Sequence, residues 1–219
     1  MRSQSTILVG VESRYIYDVL DIIDRCGREI EACVRSEYDT DICGDIPSLV
    51  NSFSEVRSLA KGALLVPLLT PGRKKRVVKE ALRHGLFAAE TLIDPSAVVS
   101  GRSQISEGSI VGPGSVIASN CQIEAHVAIN RAASIGHDCL IAEYSSVGPG
   151  ATLSGGCRLD EGVFLGSGAV LAPKVRVGRN AVVGSGAVVV ADVPSNTVVA
   201  GNPARIIRTD VLGYRDIGV

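Results

Sequence analysis

From Ile93 to Pro194 the sequence divides, without one insertion, into seventeen consecutive hexads, beginning IDPSAV, VSGRSQ, ISEGSI, VGPGSV and ending VGSGAV, VVADVP. Every first position is Ile, Val or Leu, and every fifth is Ala, Ser, Cys or Val. Six is a multiple of the strand period of two and a poor match to 3.6, so this segment is extended chain. One large branched and one small residue per hexad point inward, and a Gly-rich corner follows. Three flat sides close a triangular coil of eighteen residues. With coils stacked ~4.8 Å apart, the repeat builds a prism roughly 27 Å long. Each coil buries its apolar stripe only against the next one.

Six cysteines are present, and none forms a CxxC pair. Cys26, Cys33 and Cys43 precede the repeat, whereas Cys121, Cys139 and Cys157 share the fifth hexad position one coil apart. That spacing assigns the last three to the interior as stacked small hydrophobes. The 24 glycines, the absence of Trp and an aromatic content of 4% fit a core of small and β-branched side chains.

Residues 1–90 follow a different pattern. STILVGV reads as a strand ending at Gly10, and SRYIYDVLDIIDRCG as a helix with apolar Ile16, Val19, Leu20 and Ile23. EIEACV and GALLVPLL read as further strands, and PGRKKRVVKEALRHG as a second helix with Pro71 near its start. The order β-α-β…β-α predicts a small layered domain with a parallel sheet. The boundary is expected near residues 88–93, giving domains 1–90 and 91–219. The basic run Arg73-Lys74-Lys75-Arg76 reads as a solvated helix face, with phosphate contact as its other reading.

The charges nearly cancel, 22 basic against 23 acidic for a net −1, which gives no support to nucleic-acid binding. No apolar run reaches the roughly 20 residues of a spanning helix, and the N-terminus does not read as a signal peptide. A cytoplasmic protein without an integral membrane segment is expected.

Only three histidines exist. His84 ends the second helix, where a positive partner suits the dipole. His126 and His137 lie in the coils at neither inward position, so both are expected at the surface. His137 is followed by Asp138, Asn130 precedes it by seven residues, and Gly155 lies one coil later. A histidine beside a carboxylate suits a general base. A glycine on the adjoining rung can offer an unobstructed N–H to an oxyanion. Acyl transfer from a thioester by direct attack needs no Ser or Cys nucleophile.

The stretch NRAASIGHDCLIAEYSSVGPGATLSGG, with the closing VVVADVPSNTVVAGNPARIIR, resembles the NeuD/PglD-type sugar acetyltransferases. That family joins a small Rossmann-like α/β domain to a left-handed parallel β-helix of hexapeptide repeats, and the resemblance covers nearly the whole chain. It implies His137 as catalytic base with Asp138 and Asn130. It also implies Gly155 as the amide facing the acetyl carbonyl, and Ser146 where a histidine near the acetyl group is often found. Acetyl-CoA, with no metal, would lie between subunits of a homotrimer against Gly155, Ser167, Ser185 and the loop Gly201, Pro203 and Ala204. A sugar acceptor in surface-polysaccharide synthesis, N- or O-acetylated, would occupy the first domain at Gly10, Glu12, Ser13, Arg14 and Arg35.

The sequence departs from that family in three places assigned to one pocket. The usual Gly-rich turn is Gly10-Val11-Glu12-Ser13-Arg14, the acidic pair after the second strand is Arg35-Ser36, and Pro67 stands in the third strand's turn. A uridine-diphosphate sugar is therefore not expected to bind in the family's usual manner. A metal-dependent hydratase on the same scaffold needs three histidines per metal, and the coils hold two. The remaining alternatives are a non-catalytic scaffold or regulatory subunit, transfer of a different acyl group, and a non-sugar acceptor.

Overall fold

The computed structural model describes residues 5–39, 44–56, 63–86 and 90–219, so Cys43 lies outside the described residues. The first part holds strand β1 (Ser5–Val9), helix α1 (Tyr15–Arg25), strands β2 (Glu29–Val34), β3 (Leu49–Val50) and β4 (Ala63–Leu65), and helix α2 (Pro71–Arg83). The strands form one parallel sheet in the order β3-β2-β1-β4. Strand β3 escapes a periodicity reading because two residues carry no alternation.

Helix α1 buries Ile16, Val19, Leu20, Ile22 and Ile23, the stripe expected from a 3.6-residue period. They pack between Leu8, Cys33 and Leu65 of the sheet and Leu92 and Ile110 of the repeat segment. Val77, Val78 and Ala81 of α2 cover the other side of the sheet, against Ile7, Val9 and Leu64.

The repeat segment is a three-sided prism with strictly parallel rungs. Leu92 pairs with Ile110, then Ala128, Ser146, Phe164 and Val182, each eighteen residues on. The last coil is shorter, since Val182 pairs with Val198. Ile123, Ile129, Ile135, Ile141, Val147, Leu153 and Leu165 fill the interior. Cys121, Cys139 and Cys157 stack there as free thiols, and their Sγ atoms donate to Gly136, Ser154 and Ala172 carbonyls at 3.1, 3.3 and 3.2 Å.

The fourth hexad position turns each corner in the left-handed region, at Asn120, His126, Ala132, Asp138, Tyr144, Lys174 and Asn180 as well as at several glycines. Asn, Asp and Gly tolerate that conformation best, which explains why the corners look Gly-rich.

The three outer faces differ. The face running from Leu92–Ile93 to Val182–Val183 lies under the N-terminal sheet and its helices, and is called the covered face. The polar face, from Gln104–Ile105 to Arg176–Val177, presents exposed Gln104, Gln122, Arg158 and Arg176. The open face, from Val98–Val99 to Val188–Val189, turns Val98, Val116, Ser134, Thr152, Val170 and Val188 outward and carries no charge.

Ion pairs join the two parts. Arg25 Nε donates to Asp94 Oδ2 at 2.7 Å, and Arg28 donates to the Thr91 carbonyl at 3.2 Å. Lys75 Nζ reaches Glu161 at 2.5 Å and lies 5.3 Å from the Tyr144 ring centroid. The basic run is therefore not a solvated face. Arg73 pairs with Glu12, Lys74 is buried and Lys75 grips the prism, which leaves Arg76 exposed. Among the described residues, no helix is long and apolar enough to cross a membrane.

Candidate active site

At the corner between the open and polar faces, Asp138 occupies the left-handed position with φ 58°. Its Oδ2 lies 2.7 Å from His137 Nδ1, and its Oδ1 accepts from Asn120 Nδ2 at 3.2 Å. These hydrogen bonds, that of His137 first, hold the Asp138 carboxyl below its ordinary range. The carboxylate engages Nδ1, which leaves Nε2 as the ring nitrogen turned to the outside. The His137 side chain is 69% exposed. Its imidazole lies across Gly155, where an added Cβ would stand 2.6 Å from Nε2. Gly156 N donates to the His137 carbonyl and Ser154 N to Leu171. The Gly155 amide is not engaged in this ladder.

Asn130 lies elsewhere, at the corner between the covered and open faces. It is 4% exposed, and its Oδ1 accepts from the Arg131 amide at 2.7 Å. It lines a cavity of about 690 Å³ together with Glu12, Ser13, Arg14, Thr70 and Ser167. Arg73, Arg131, Tyr214 and Arg215 line the same space. The charge expected of Glu12 is offset by Arg73, and Asp18 lies 3.6 Å from Arg131. Sequence reasoning missed Arg131, Tyr214 and Arg215 as site residues. Arg131 follows Asn130 at an outward hexad position, which was a usable signal, whereas the last two lie beyond the repeat.

The remaining candidates separate. Gly10, at φ 88°, is buried and donates to the Val34 carbonyl, so it shapes the turn without lining the cavity. The amide of Val11, the next residue, donates to Asp39 Oδ2 at 2.9 Å. Arg35 lines a second cavity of about 660 Å³ with Ser36, Glu80 and His84. The three departures thus do not share one pocket, since Arg35-Ser36 lies apart from Glu12–Arg14. Exposed Ser185 is one coil beyond Ser167 on Asn130's corner. Gly201, Pro203 and Ala204 form the turn between strands Val198–Ala200 and Arg205–Arg208, and Ala204 N donates to Val188.

Ser146 and His126 need correction. Ser146 is 1% exposed and its Oγ accepts from Lys74 Nζ at 3.1 Å, so it is covered by α2 and not open to an acetyl group. His126, expected at the surface, is buried and stacked on Tyr144 at 5.3 Å between centroids. Burial, then the charge of Lys74, lowers its pKa to about 4. Lys74 Nζ also donates to the His126 and Ser145 carbonyls at 3.0 and 3.3 Å, and burial lowers its pKa to about 7. Among the described residues, no group of three or more His, Cys, Asp or Glu could hold a metal ion.

Residues 156–191 match the bacterial transferase hexapeptide family (six repeats). PerB from Caulobacter crescentus, solved in complex with CoA and GDP-perosamine, is 30% identical with a TM-score of 0.84, covering 93% of this chain and 97% of that one. The chain belongs to the hexapeptide-repeat sugar acetyltransferases. The acetyltransferase domain of PglB from Neisseria gonorrhoeae, in complex with acetyl coenzyme A, is 27% identical with a TM-score of 0.83, covering 94% of this chain and 100% of that one. WeeI from Acinetobacter baumannii, at 24% identity and a TM-score of 0.80 over 93% of this chain and 100% of that one, shares the fold. Among curated proteins, none matches the chain. As a hexapeptide-repeat acetyltransferase, the chain is a CoA-dependent acyltransferase, and its prism is a left-handed parallel β-helix.

Proposed function

We propose that this protein transfers the acetyl group of acetyl-CoA to an amine or hydroxyl of a nucleotide-activated sugar in glycan biosynthesis, with His137 as general base. The constellation of His137, Asp138 and Gly155 carries the reading, because a carboxylate-oriented imidazole lies over a glycine whose amide is outside the ladder. The acceptor's nucleophile attacks the thioester carbonyl while Nε2 takes its proton. The developing oxyanion is met by the Gly155 N–H. Collapse expels the CoA thiolate, which recovers that proton from the imidazolium as the acetylated sugar leaves.

Residues 91–219 hold the donor, and residues 1–90 with Asn130's corner hold the acceptor. The two halves of the site lie on opposite edges of the open face, so one prism does not bring them together. Three considerations support a homotrimer. The covered face is occupied by the chain's own N-terminal part. The polar face carries Arg158 and Arg176. The open face is uncharged and exposes Val98 and Val116. Packing open faces about a threefold axis brings the His137 edge of one subunit to the Asn130 edge of the next. CoA then lies between them, against Gly155 of one and Ser167, Ser185 and the Gly201–Ala204 turn of the other.

The acceptor's phosphates are held by guanidinium groups and not by a Gly-rich turn, since the Val11 amide already donates to Asp39. The test is thiol release from acetyl-CoA with a panel of amino- and hydroxy-sugar nucleotides. Turnover with one acceptor is expected, falling by roughly 10²–10⁴ in His137→Ala with the oligomer intact. Near-normal turnover in that variant would remove His137 from the mechanism.

A further inference from the structure

The C-terminal segment after the last strand returns along the covered face to the first turn of α2. Phe164, on that face, stacks on Tyr214 with centroids 3.7 Å apart and planes at 6°. Arg215 lies 5.7 Å from the same ring and, like Asp216, is held in the left-handed region. Beyond it the chain is tied down at its end. Val219 N donates to Asn180 Oδ1 at 3.1 Å, Arg179 donates to the Val219 carbonyl at 3.0 Å, and Asp216 pairs with Arg208. Gly72 of α2 admits the segment, for a Cβ there would strike the Ile217 and Gly218 carbonyls.

This anchoring places Tyr214 and Arg215 in the wall of the 690 Å³ cavity. Four arginines face that space against the carboxylates of Glu12 and Asp18, which are near Arg73 and Arg131. Among the described residues, Arg14 and Arg215 form no ion pair, so two guanidiniums remain for an outside anion beside an aromatic face. Guanidinium groups match phosphate oxygens in geometry as well as charge.

We propose that the C-terminal segment completes the acceptor site, with Arg215 binding the phosphates of a nucleoside diphosphate group and Tyr214 walling the cavity beside it. The proposal rests on the acetyl-transfer reading for its physiological ligand, but its test does not depend on turnover. Arg14 enters from the N-terminal side and Arg215 from the far end of the chain. The two ends of the sequence thus share one anion, and the C-terminal residues become determinants of acceptor affinity.

The experiment is calorimetric titration of the full-length protein with GDP, UDP and dTDP. The variants are Arg215→Asn, which keeps a residue tolerant of the left-handed region, and Tyr214→Ala. Loss of a charged hydrogen bond predicts a roughly ten- to hundred-fold weaker Kd in Arg215→Asn, with acetyl-CoA affinity unchanged. Once the acceptor is known, its KM should rise by a similar factor while kcat stays within about twofold. Wild-type affinity in Arg215→Asn would overturn the proposal, as would failure of the wild type to bind any of the three diphosphates. Diphosphate binding that depends on Arg215, without acetylation of any sugar, would uphold the segment's role and sink the acetyl-transfer reading instead. His137-dependent thiol release with a nucleotide sugar whose affinity is unchanged in Arg215→Asn would do the reverse.

Discussion

Lys74→Met separates the charge of the buried ammonium from its volume. Lys74 is 2% exposed, and its partners are two carbonyls and the Ser146 hydroxyl, all uncharged. Burial lowers its pKa from 10.5 to about 7. Between those values the unfolded chain binds more protons than the folded one, so stability rises with pH. Below about pH 7 both states are protonated, and the full cost of burying the charge is present. One proton contributes a slope approaching ~1.36 kcal/mol per pH unit, which integrates to about 2 kcal/mol between pH 7 and 9. His126, lowered to about 4, stays neutral throughout this window. Burial pushes the Cys33 thiol up to about 11, and its opposing effect begins only near pH 9. The nearby charges of Lys75 and Glu161, and the Tyr144 ring, are common to wild type and variant. Urea unfolding followed by circular dichroism at pH 7, 8 and 9, at one protein concentration, measures both slopes. The wild type should gain about 2 kcal/mol more than Lys74→Met across the window. Parallel profiles would refute the reasoning and mean that water or a counter-charge solvates the ammonium.

Gly155→Ala drives a methyl into the His137 imidazole, where a Cβ stands 2.6 Å from Nε2. Its kcat should fall by about tenfold or more while the unfolding midpoint changes little, as steady-state kinetics and denaturation will report. Ser134→Arg sets a charge at the centre of the open face. Sedimentation should find monomers and the thiol-release assay should find no turnover, although His137 is untouched. A trimeric Ser134→Arg variant would place the subunit contact on another face.

The hexads made the prism legible because an inward residue has one fate whatever surrounds the protein. Val147, Leu153 and Leu165 are fully enclosed, and Cys121, Cys139 and Cys157 stack as their spacing requires. The pairing of His137 with Gly155 was legible for the same reason, since eighteen residues make one rung. Outward residues depend on what lies over each face, and hexad position is silent on that. Lys74 and Ser146 were misjudged because α2 covers their side of the prism. Tyr214 and Arg215 belong to a segment without periodicity, placed by the Phe164 stack and by contacts at the chain's end.

His126 and Asp138 isolate this dependence. Both occupy the fourth hexad position, and both take left-handed backbone, with φ of 57° and 58°. His126 turns the corner beneath α2, where Lys74 takes its carbonyl, Tyr144 stacks on its ring and burial keeps it neutral. Asp138 turns the corner beside the open face, where none of the described residues covers it and its carboxylate contacts His137 Nδ1. Equivalent local geometry therefore yields an interdomain contact at one edge and an exposed imidazole–carboxylate pair at another. The difference arises from the N-terminal part, whose described residues cover one face and not the His137 edge. That part therefore sets which corners of the prism are covered, besides helping to form the cavity beside Asn130.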